Sequence, residues 1–288
     1  MKKQTTAVKK TSLPEWNLSD FYSGIADKRI EADLKKAEKL CDALKKSAGG
    51  KVSGMSGAAL ARAIADYEAI QEVLGSIGSY ASLAFAKNMQ DPNIAQFYQN
   101  MNEALTRLSS IILFFTLDIN KLSEREMKAK LKTPALQKYA SWIRDIRSFK
   151  PYQLSDEIEK LLLEKQVAGR AAWNRLFDET IAGLRFPYEG KELNEPQIFE
   201  FLSNKDGKVR EKAAKVIGEV FKKNAPLFTL VTNTLAKDKE IEDNWRGFKQ
   251  PISSRNLSNC IEDEVADALI AAVKKSYPQL SHRYYKLK

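Results

Sequence analysis

Histidine is scarce in this chain: His282 is the only one among 288 residues. A helical zinc-protease site needs two histidines four residues apart on one helix face, so this sequence cannot form one. A Ser-His-Asp or Cys-His site would have to use His282. That residue lies among Arg283, Lys286 and Lys288, and no serine-nucleophile elbow occurs anywhere. We therefore predict that His282 is a polar residue on a helix face.

The two cysteines offer no metal or disulfide framework. Cys41 and Cys260 lie 219 positions apart, which matches neither a metal-binding pair nor the dense spacing of small secreted proteins. Residues 1–12 are basic and polar, without the apolar segment of a secretory signal. The sequence therefore favours a reducing, cytoplasmic location.

Motifs for nucleotides and acid–base catalysis are absent or have simpler explanations. Each Gly-Lys pair is followed by Val or Glu, so no phosphate-binding loop is present. Glu262, Asp263 and Glu264 are carboxylates, but they fall in the first turn of a predicted helix, where they complement the helix dipole. The sequence thus predicts no catalytic, cofactor-binding or metal-binding residue in this chain. The tryptophans are expected to pack between helices; they are Trp16, Trp142, Trp173 and Trp245.

The net charge of +10 is concentrated at the two ends of the chain. Lysines within residues 1–12 supply +4 and the last six residues supply +3, so the excess between residues 13 and 281 is only +3. This pattern favours solvated helix surfaces and no nucleic-acid partner, although a helical nucleic-acid-binding protein stays open as a weaker reading. The most apolar run, residues 111–117, is far shorter than the ~20 residues of a membrane span, so no membrane partner is expected.

The spacing of apolar residues at three and four positions predicts an all-α protein. The expected helices begin near Ile30, Leu60, Asp91, Ser123 and Ser155, and the one at Ser155 is expected to reach about Phe177. A long helix begins at Asp206-Gly207, and Pro226 should break or kink it near Asn224. Residues 251–259 are predicted as a loop, and a last helix from Ile261 should face inward; its apolar residues are Val265, Leu269, Ala272 and Val273. Only residues 184–194 depart from this pattern and predict a small β-hairpin turning at Glu189-Gly190.

Four stretches resemble the N-terminal half of the oligoendopeptidase F family, which belongs to the thimet-like zinc metallopeptidases. They are LPEWNLSDFYSG (13–24), FDETIAGLRF (177–186) with the following REKAAKV (210–216), and EVADALIAAVKKSYPQLSHRYYKLK (264–288). The resemblance implies an all-α fold, a zincin-type oligopeptidase N-terminal lobe with one small hairpin. It implies a disordered basic leader at 1–12, an N-terminal helical lobe at 13–204, and the start of the catalytic domain at 205–288.

The same resemblance implies a metalloendopeptidase that admits short peptides through a channel and hydrolyses them. The family binds zinc through His-Glu-x-x-His and a further Glu, all beyond the point that matches Lys288. None of these residues has a counterpart here, so this chain alone is expected to bind no catalytic zinc and to be inactive. We expect it to form channel wall, with short peptides and a C-terminal catalytic half as partners. The unterminated helix at residues 281–288 suggests truncation, a split gene or a short form.

A different class of function stays open from the sequence. The chain could be a non-catalytic helical module that binds peptides or a protein. The amount of exposed apolar surface would distinguish the two functions. A portion of a larger peptidase should expose apolar residues that the rest of the enzyme covers, whereas an independent binding module should carry polar residues at those positions.

Overall fold

The computed structural model describes residues 15–288, and the predicted leader at residues 1–12 lies outside them. Within this range the structure contains thirteen α-helices, three short 3-10 helices and one two-stranded sheet. The predicted all-α fold with a single hairpin is confirmed in this part of the chain. Its helices are all too short or too polar to cross a membrane.

The helices are α1 (Lys28–Ala48), α2 (Gly57–Lys87), α3 (Pro92–Lys121), α4 (Glu124–Lys130), α5 (Pro134–Gln137), α6 (Ala140–Ser148), α7 (Asp156–Lys165), α8 (Arg170–Gly183), α9 (Glu195–Glu200), α10 (Gly207–Arg246), α11 (Ser253–Ser258), α12 (Asp263–Ser276) and α13 (Ser281–Leu287). The strands β1 (Phe186–Tyr188) and β2 (Lys191–Leu193) separate α8 from α9. The 3-10 helices span Val52–Gly54, Lys150–Tyr152 and Phe201–Ser203.

The main hydrophobic core lies between α1, α2 and α3, with α4 to α6 packed against it. The apolar run at residues 111–117 contributes to it, since Ile112 and Phe115 are fully buried. Trp142 on α6 packs against this core beside Tyr67, with ring centroids 5.7 Å apart and planes inclined by 46°. Trp16 and Trp245 are exposed, however, so the prediction of interhelical packing is wrong for these two.

Local capping explains where the first helices begin. The Asp91 side chain accepts a hydrogen bond from the backbone N–H of Asn93, and Pro92 occupies the first helical position. Ser123 and Glu126 form the predicted capping box at the start of α4. These side chains satisfy amide groups that a helix N-terminus otherwise leaves without partners. The predicted starts of α3 and α4 are therefore confirmed.

The predicted hairpin is present and packs against the long helix α10. Glu189 and Gly190 both have positive φ, 51° and 76°, as a two-residue turn of the I′ type requires. Phe186 pairs with Leu193, and the inward face of β1 is fully buried. A second hydrophobic cluster joins this hairpin to α9 and α10; its buried members are Leu184, Phe186, Tyr188, Ile198, Ala213 and Val220.

Helix continuity differs from the prediction in two places. The helix expected from Ser155 to Phe177 is divided into α7 and α8 by a turn at residues 166–169. Gly169 precedes α8 with φ −100° and ψ −116°, outside the helical region, and its N–H bonds back to the carbonyl of Lys165. Conversely, α10 runs for 40 residues through Pro226 without a break. Buried Val220 and Val231, one on each side, hold both halves of the helix in packed positions despite the lost hydrogen bond.

The last forty residues also differ from the prediction. The expected loop at 251–259 contains α11, and α12 is followed by a turn at 277–280 and a separate helix, α13. The side chains of Val265, Leu269 and Val273 were expected to face inward, yet each is exposed. Their spacing correctly indicated a helix. It gave no information on whether a partner covers the apolar side.

Candidate functional site

A cavity of about 850 Å³ lies between the end of α3 and α6 to α8 on one side and the second half of α10 with α11 on the other. Its wall is mixed in chemistry. Aromatic rings from Phe149, Tyr152 and Phe248 contribute, and charged groups of both signs line the rest. A volume of this size is within the range of small-molecule and peptide-binding pockets.

Arg246, the last residue of α10, is the most connected side chain in this cavity. Its guanidinium donates two hydrogen bonds to the Glu159 carboxylate on α7, with distances of 2.7 and 3.0 Å. It also donates to Glu242 Oε1 at 2.7 Å and to the backbone carbonyl of Tyr152 at 3.2 Å. A planar guanidinium suits this fork-like arrangement. The cluster fixes the end of α10 against α7.

Hydrogen bonding decides the pKa values of this pair. Burial by itself would raise the pKa of Glu159, but the hydrogen bonds from Arg246 and from the Leu154 amide outweigh it and lower the pKa. The hydrogen bond to Glu159 raises the pKa of Arg246 further above its usual range, against the opposing effect of burial. Both side chains therefore stay ionised at neutral pH, so the pair is a structural clamp and no source of protons.

An αL turn brings an aromatic ring to the same place. Gly247 ends α10 with φ 79° and ψ 25°, and the next N–H, that of Phe248, bonds back to the carbonyl of Asp243 at 2.9 Å. This turn lays the Phe248 ring on Tyr152, with centroids 4.0 Å apart and planes 13° from parallel. Glycine is needed there because other residues adopt this φ at a cost.

A second charged group closes the cavity toward α11. Lys239 donates hydrogen bonds to Asp243 at 2.5 Å and to Ser254 at 2.8 Å, which ties α10 to α11. Asn120 of α3 contributes a buried amide whose nitrogen donates to Gln153 Oε1 at 2.9 Å. Its Oδ1 has no hydrogen-bond partner among the described residues. The cavity is therefore lined by charged and polar groups that are held in place by hydrogen bonds.

The residues singled out from the sequence are not brought together here. His282 is exposed on α13, with its ring centroid 6.1 Å from that of Tyr277. Cys41 is buried in the main core, while Cys260 is exposed and lines the cavity. Asp263 accepts hydrogen bonds from Ser253 and Asn256, the causes of its lowered pKa, and so serves to join α11 to α12.

Sequence reasoning missed the cavity residues themselves. Arg246 and Glu159 are 87 positions apart, and each belongs to an ordinary charged helix surface in the sequence. Gly247 after Arg246 was the one local signal, since glycine commonly follows the end of a helix. It could have indicated the end of α10. It could not have indicated the partner of Arg246.

The residues present do not fit a catalytic zinc site. In residues 15–288 there is no group of three or more His, Cys, Asp or Glu side chains placed to hold a metal ion. Four of the charged cavity groups are already paired with one another, Arg246 with Glu159 and Lys239 with Asp243.

Comparisons with known proteins find similarity to oligopeptidases. A family model described as Oligopeptidase F matches residues 118–186, from the end of α3 to the first residue of β1. Group B oligopeptidase PepB of Streptococcus agalactiae is 26% identical over 73% of this chain and 36% of its own length. The oligoendopeptidase F homolog of Borreliella burgdorferi is 26% identical over 76% of this chain and 37% of its own length.

The fold agrees as well. The crystal structure of oligoendopeptidase-F from Enterococcus faecium matches with a TM-score of 0.78 at 22% identity, over 90% of this chain and 52% of that one. The resemblance to the N-terminal part of oligoendopeptidase F is confirmed. The chain spans little more than a third of the length of the curated relatives it matches.

Proposed function

We propose that this chain, which has the fold of part of oligoendopeptidase F, is the N-terminal portion of a zinc-dependent oligoendopeptidase that hydrolyses peptide bonds in short peptides. The observation that carries the proposal is the match to two curated oligopeptidases over about three quarters of this chain. The cavity between α3, α7 and α10 supports it, because its aromatic and charged lining suits the side chains and amides of a peptide. In this proposal the cavity is part of the channel wall.

We further propose that residues 13–204 form the N-terminal helical lobe and residues 205–288 begin the catalytic domain. The long helix α10 begins at Gly207, close to that boundary. The hairpin and α10 share a hydrophobic cluster, so in this chain the two segments are packed together.

The zinc ligands and the catalytic Glu would come from outside this chain, which contains a single histidine. Zinc would supply a polarised water for attack on the peptide carbonyl. The proposed role of this chain is to bind and orient the peptide and to limit which molecules enter the channel. The partners are short peptides and a C-terminal catalytic half, with no nucleic acid and no membrane, and the proposed location is the cytoplasm.

A peptidase assay tests the proposal. The purified chain is mixed with fluorescence-quenched peptides of five to twelve residues, with zinc, and with or without a metal chelator. Alone it should cleave none of them. Combined with the part of the Enterococcus faecium oligoendopeptidase-F that the fold match leaves out, it should give cleavage that the chelator abolishes. Chelator-sensitive cleavage by the chain alone would contradict the proposal that the zinc ligands lie outside this chain.

A non-catalytic module that binds peptides or a protein is the second candidate. It predicts peptide binding but no cleavage in either mixture. An independent module should also have a polar surface at the positions where a peptidase portion would be covered by the rest of the enzyme. Among the described residues 15–288, 14 of the 22 exposed large apolar side chains lie between residues 230 and 287, which favours the peptidase portion.

A further inference from the structure

Helix α12 is amphipathic, and its apolar side is uncovered. Val265, Leu269 and Val273 follow one another at four-residue intervals and share a face with Ile270. Their exposed fractions are 53%, 66%, 44% and 50%. We name these four residues the α12 stripe. An amphipathic helix of a folded protein normally turns such a stripe toward a core.

The opposite face of α12 is suited to water. Glu264 and Lys275 lie on it, about 145–165° around the helix from the centre of the stripe. Both of these residues are exposed as well, so the stripe is not exposed because the helix turns its polar face toward the rest of the protein. Only the N-terminal end of α12 is tied down, through the bonds of Asp263 to Ser253 and Asn256. Along the rest of its length, the described residues leave the stripe uncovered.

The exposed apolar surface continues past α12. The turn and α13 present Tyr277, Leu280, Tyr284 and Leu287, which are between 41% and 80% exposed. Basic residues accompany them, namely Lys274, Lys275, Arg283, Lys286 and Lys288. A large apolar surface with a charged rim is typical of a protein–protein contact. A matching partner would offer an apolar groove with acidic residues near the C-terminal end of α12.

The comparisons indicate which partner this is. The fold match covers 90% of this chain but 52% of the Enterococcus faecium oligoendopeptidase-F, so nearly half of that protein has no counterpart here. Resting on the proposed function, we propose that α12 and α13 form the docking element for the polypeptide equivalent to that unmatched half. The α12 stripe enters a groove of that polypeptide in the manner of a helix bound in an apolar groove. The main core is already closed and needs no further cover.

A labelling experiment tests the docking directly. Cys260 is replaced by Ser, buried Cys41 is kept, and Leu269→Cys places a single exposed thiol in the α12 stripe. The probe is the part of the Enterococcus faecium oligoendopeptidase-F outside the match, first shown to bind the matched part of its own chain. The introduced thiol should react with a maleimide at least about tenfold more slowly when the probe is added.

Variants of the same helix provide the control. Leu269→Glu and Val273→Glu should each weaken binding of the probe by about tenfold or more, since they place a charge in a desolvated contact. Ala271→Glu changes the far side of α12 and should change the affinity less than threefold. Circular dichroism checks that all three variants remain folded. Equal effects of Leu269→Glu and Ala271→Glu would overturn the proposal.

The remaining outcomes separate docking from catalysis. Protection of the thiol without any peptide cleavage would support docking and contradict the proposed peptidase function. Restored cleavage with an unprotected thiol would support the function and overturn docking through α12. Absence of probe binding to this chain would also overturn the docking. If the thiol becomes protected from maleimide as the concentration of the chain alone rises, a second copy of the chain covers the α12 stripe. That result would overturn the proposed docking partner.

Discussion

The guanidinium of Arg246 and the carboxylate of Glu159 join the end of α10 to α7 through two hydrogen bonds of 2.7 and 3.0 Å. Both side chains are largely buried, at 18% and 13% exposure. The pair therefore sets the distance between two walls of the cavity. Under the proposed function, a peptide in that cavity would lie between walls that this clamp holds together.

Removing the guanidinium should destabilise the fold measurably. Arg246→Ala leaves the Glu159 carboxylate with only the Leu154 amide as a partner, so we expect the free energy of unfolding to fall by about 2 kcal/mol. Denaturant unfolding followed by circular dichroism measures it. The double variant Arg246→Ala/Glu159→Ala should cost clearly less than the sum of the single changes. Additive losses would mean that the two residues are not coupled.

The same pair should make stability depend on pH. The pKa of Glu159 is lower in the folded chain than in the unfolded one, where a glutamate titrates near about 4.3. Its contribution is therefore present above about pH 4.3 and is lost as the pH falls through the folded pKa. Glu124 and Glu126 shift in the same direction, so the comparison must be with a variant.

Glu159→Gln supplies that comparison. The difference in unfolding free energy between wild type and Glu159→Gln should be largest near pH 6 and should shrink as the pH is lowered toward 3. Denaturant titrations at several pH values measure the difference. A gap that stays constant over this range would contradict the assigned direction of the pKa shift.

Two glycines of α2 should respond oppositely to alanine. A Cβ at Gly57 would lie 2.2 Å from Thr133 Oγ1 and 2.5 Å from the Lys130 carbonyl oxygen, so Gly57→Ala should destabilise the fold by about 1–3 kcal/mol. A Cβ at Gly75 meets nothing within 4 Å. Gly75→Ala should therefore stabilise by up to about 1 kcal/mol, since alanine favours the helix.

Thermal unfolding of the two alanine variants measures both effects. The prediction is a lower melting temperature for Gly57→Ala and a higher one for Gly75→Ala. Equal shifts of either sign would show that the contact with Thr133 does not determine the outcome. Gly78 on the same helix differs from Gly75, because a Cβ there would lie 3.3 Å from Leu105 Cδ1.

The two thiols should differ in reactivity. Burial in the main core raises the pKa of Cys41 to about 11, and its side chain is inaccessible. Cys260 is exposed beside the cavity. Ellman's reagent at pH 8 should therefore detect one rapidly reacting thiol in the folded chain and two after denaturation. The Cys260→Ser variant should show none until it unfolds; rapid reaction there would contradict the burial of Cys41.

Much of the local structure could be predicted because short-range signals decide it. Asp91 and Ser123 cap their helices through contacts within three residues, and Glu189-Gly190 specifies its own turn. The errors occurred where a longer-range effect prevailed over the local signal. Pro226 did not interrupt α10 because packing on both sides holds the helix together. The break before α8 is the exception, because Gly169 is a local signal that the apolar spacing outweighed in the prediction.

The sequence by itself determined the helical class, the hairpin, the resemblance to oligoendopeptidase F and the lack of zinc-binding histidines, because each depends on residue types at short, fixed spacings. Only the tertiary structure decided that Glu159 and Arg246 meet, that a cavity lies between α3, α7 and α10, and that the apolar side of α12 is uncovered. Amphipathic spacing requires an apolar side to face something apolar. What covers that side depends on how distant segments pack.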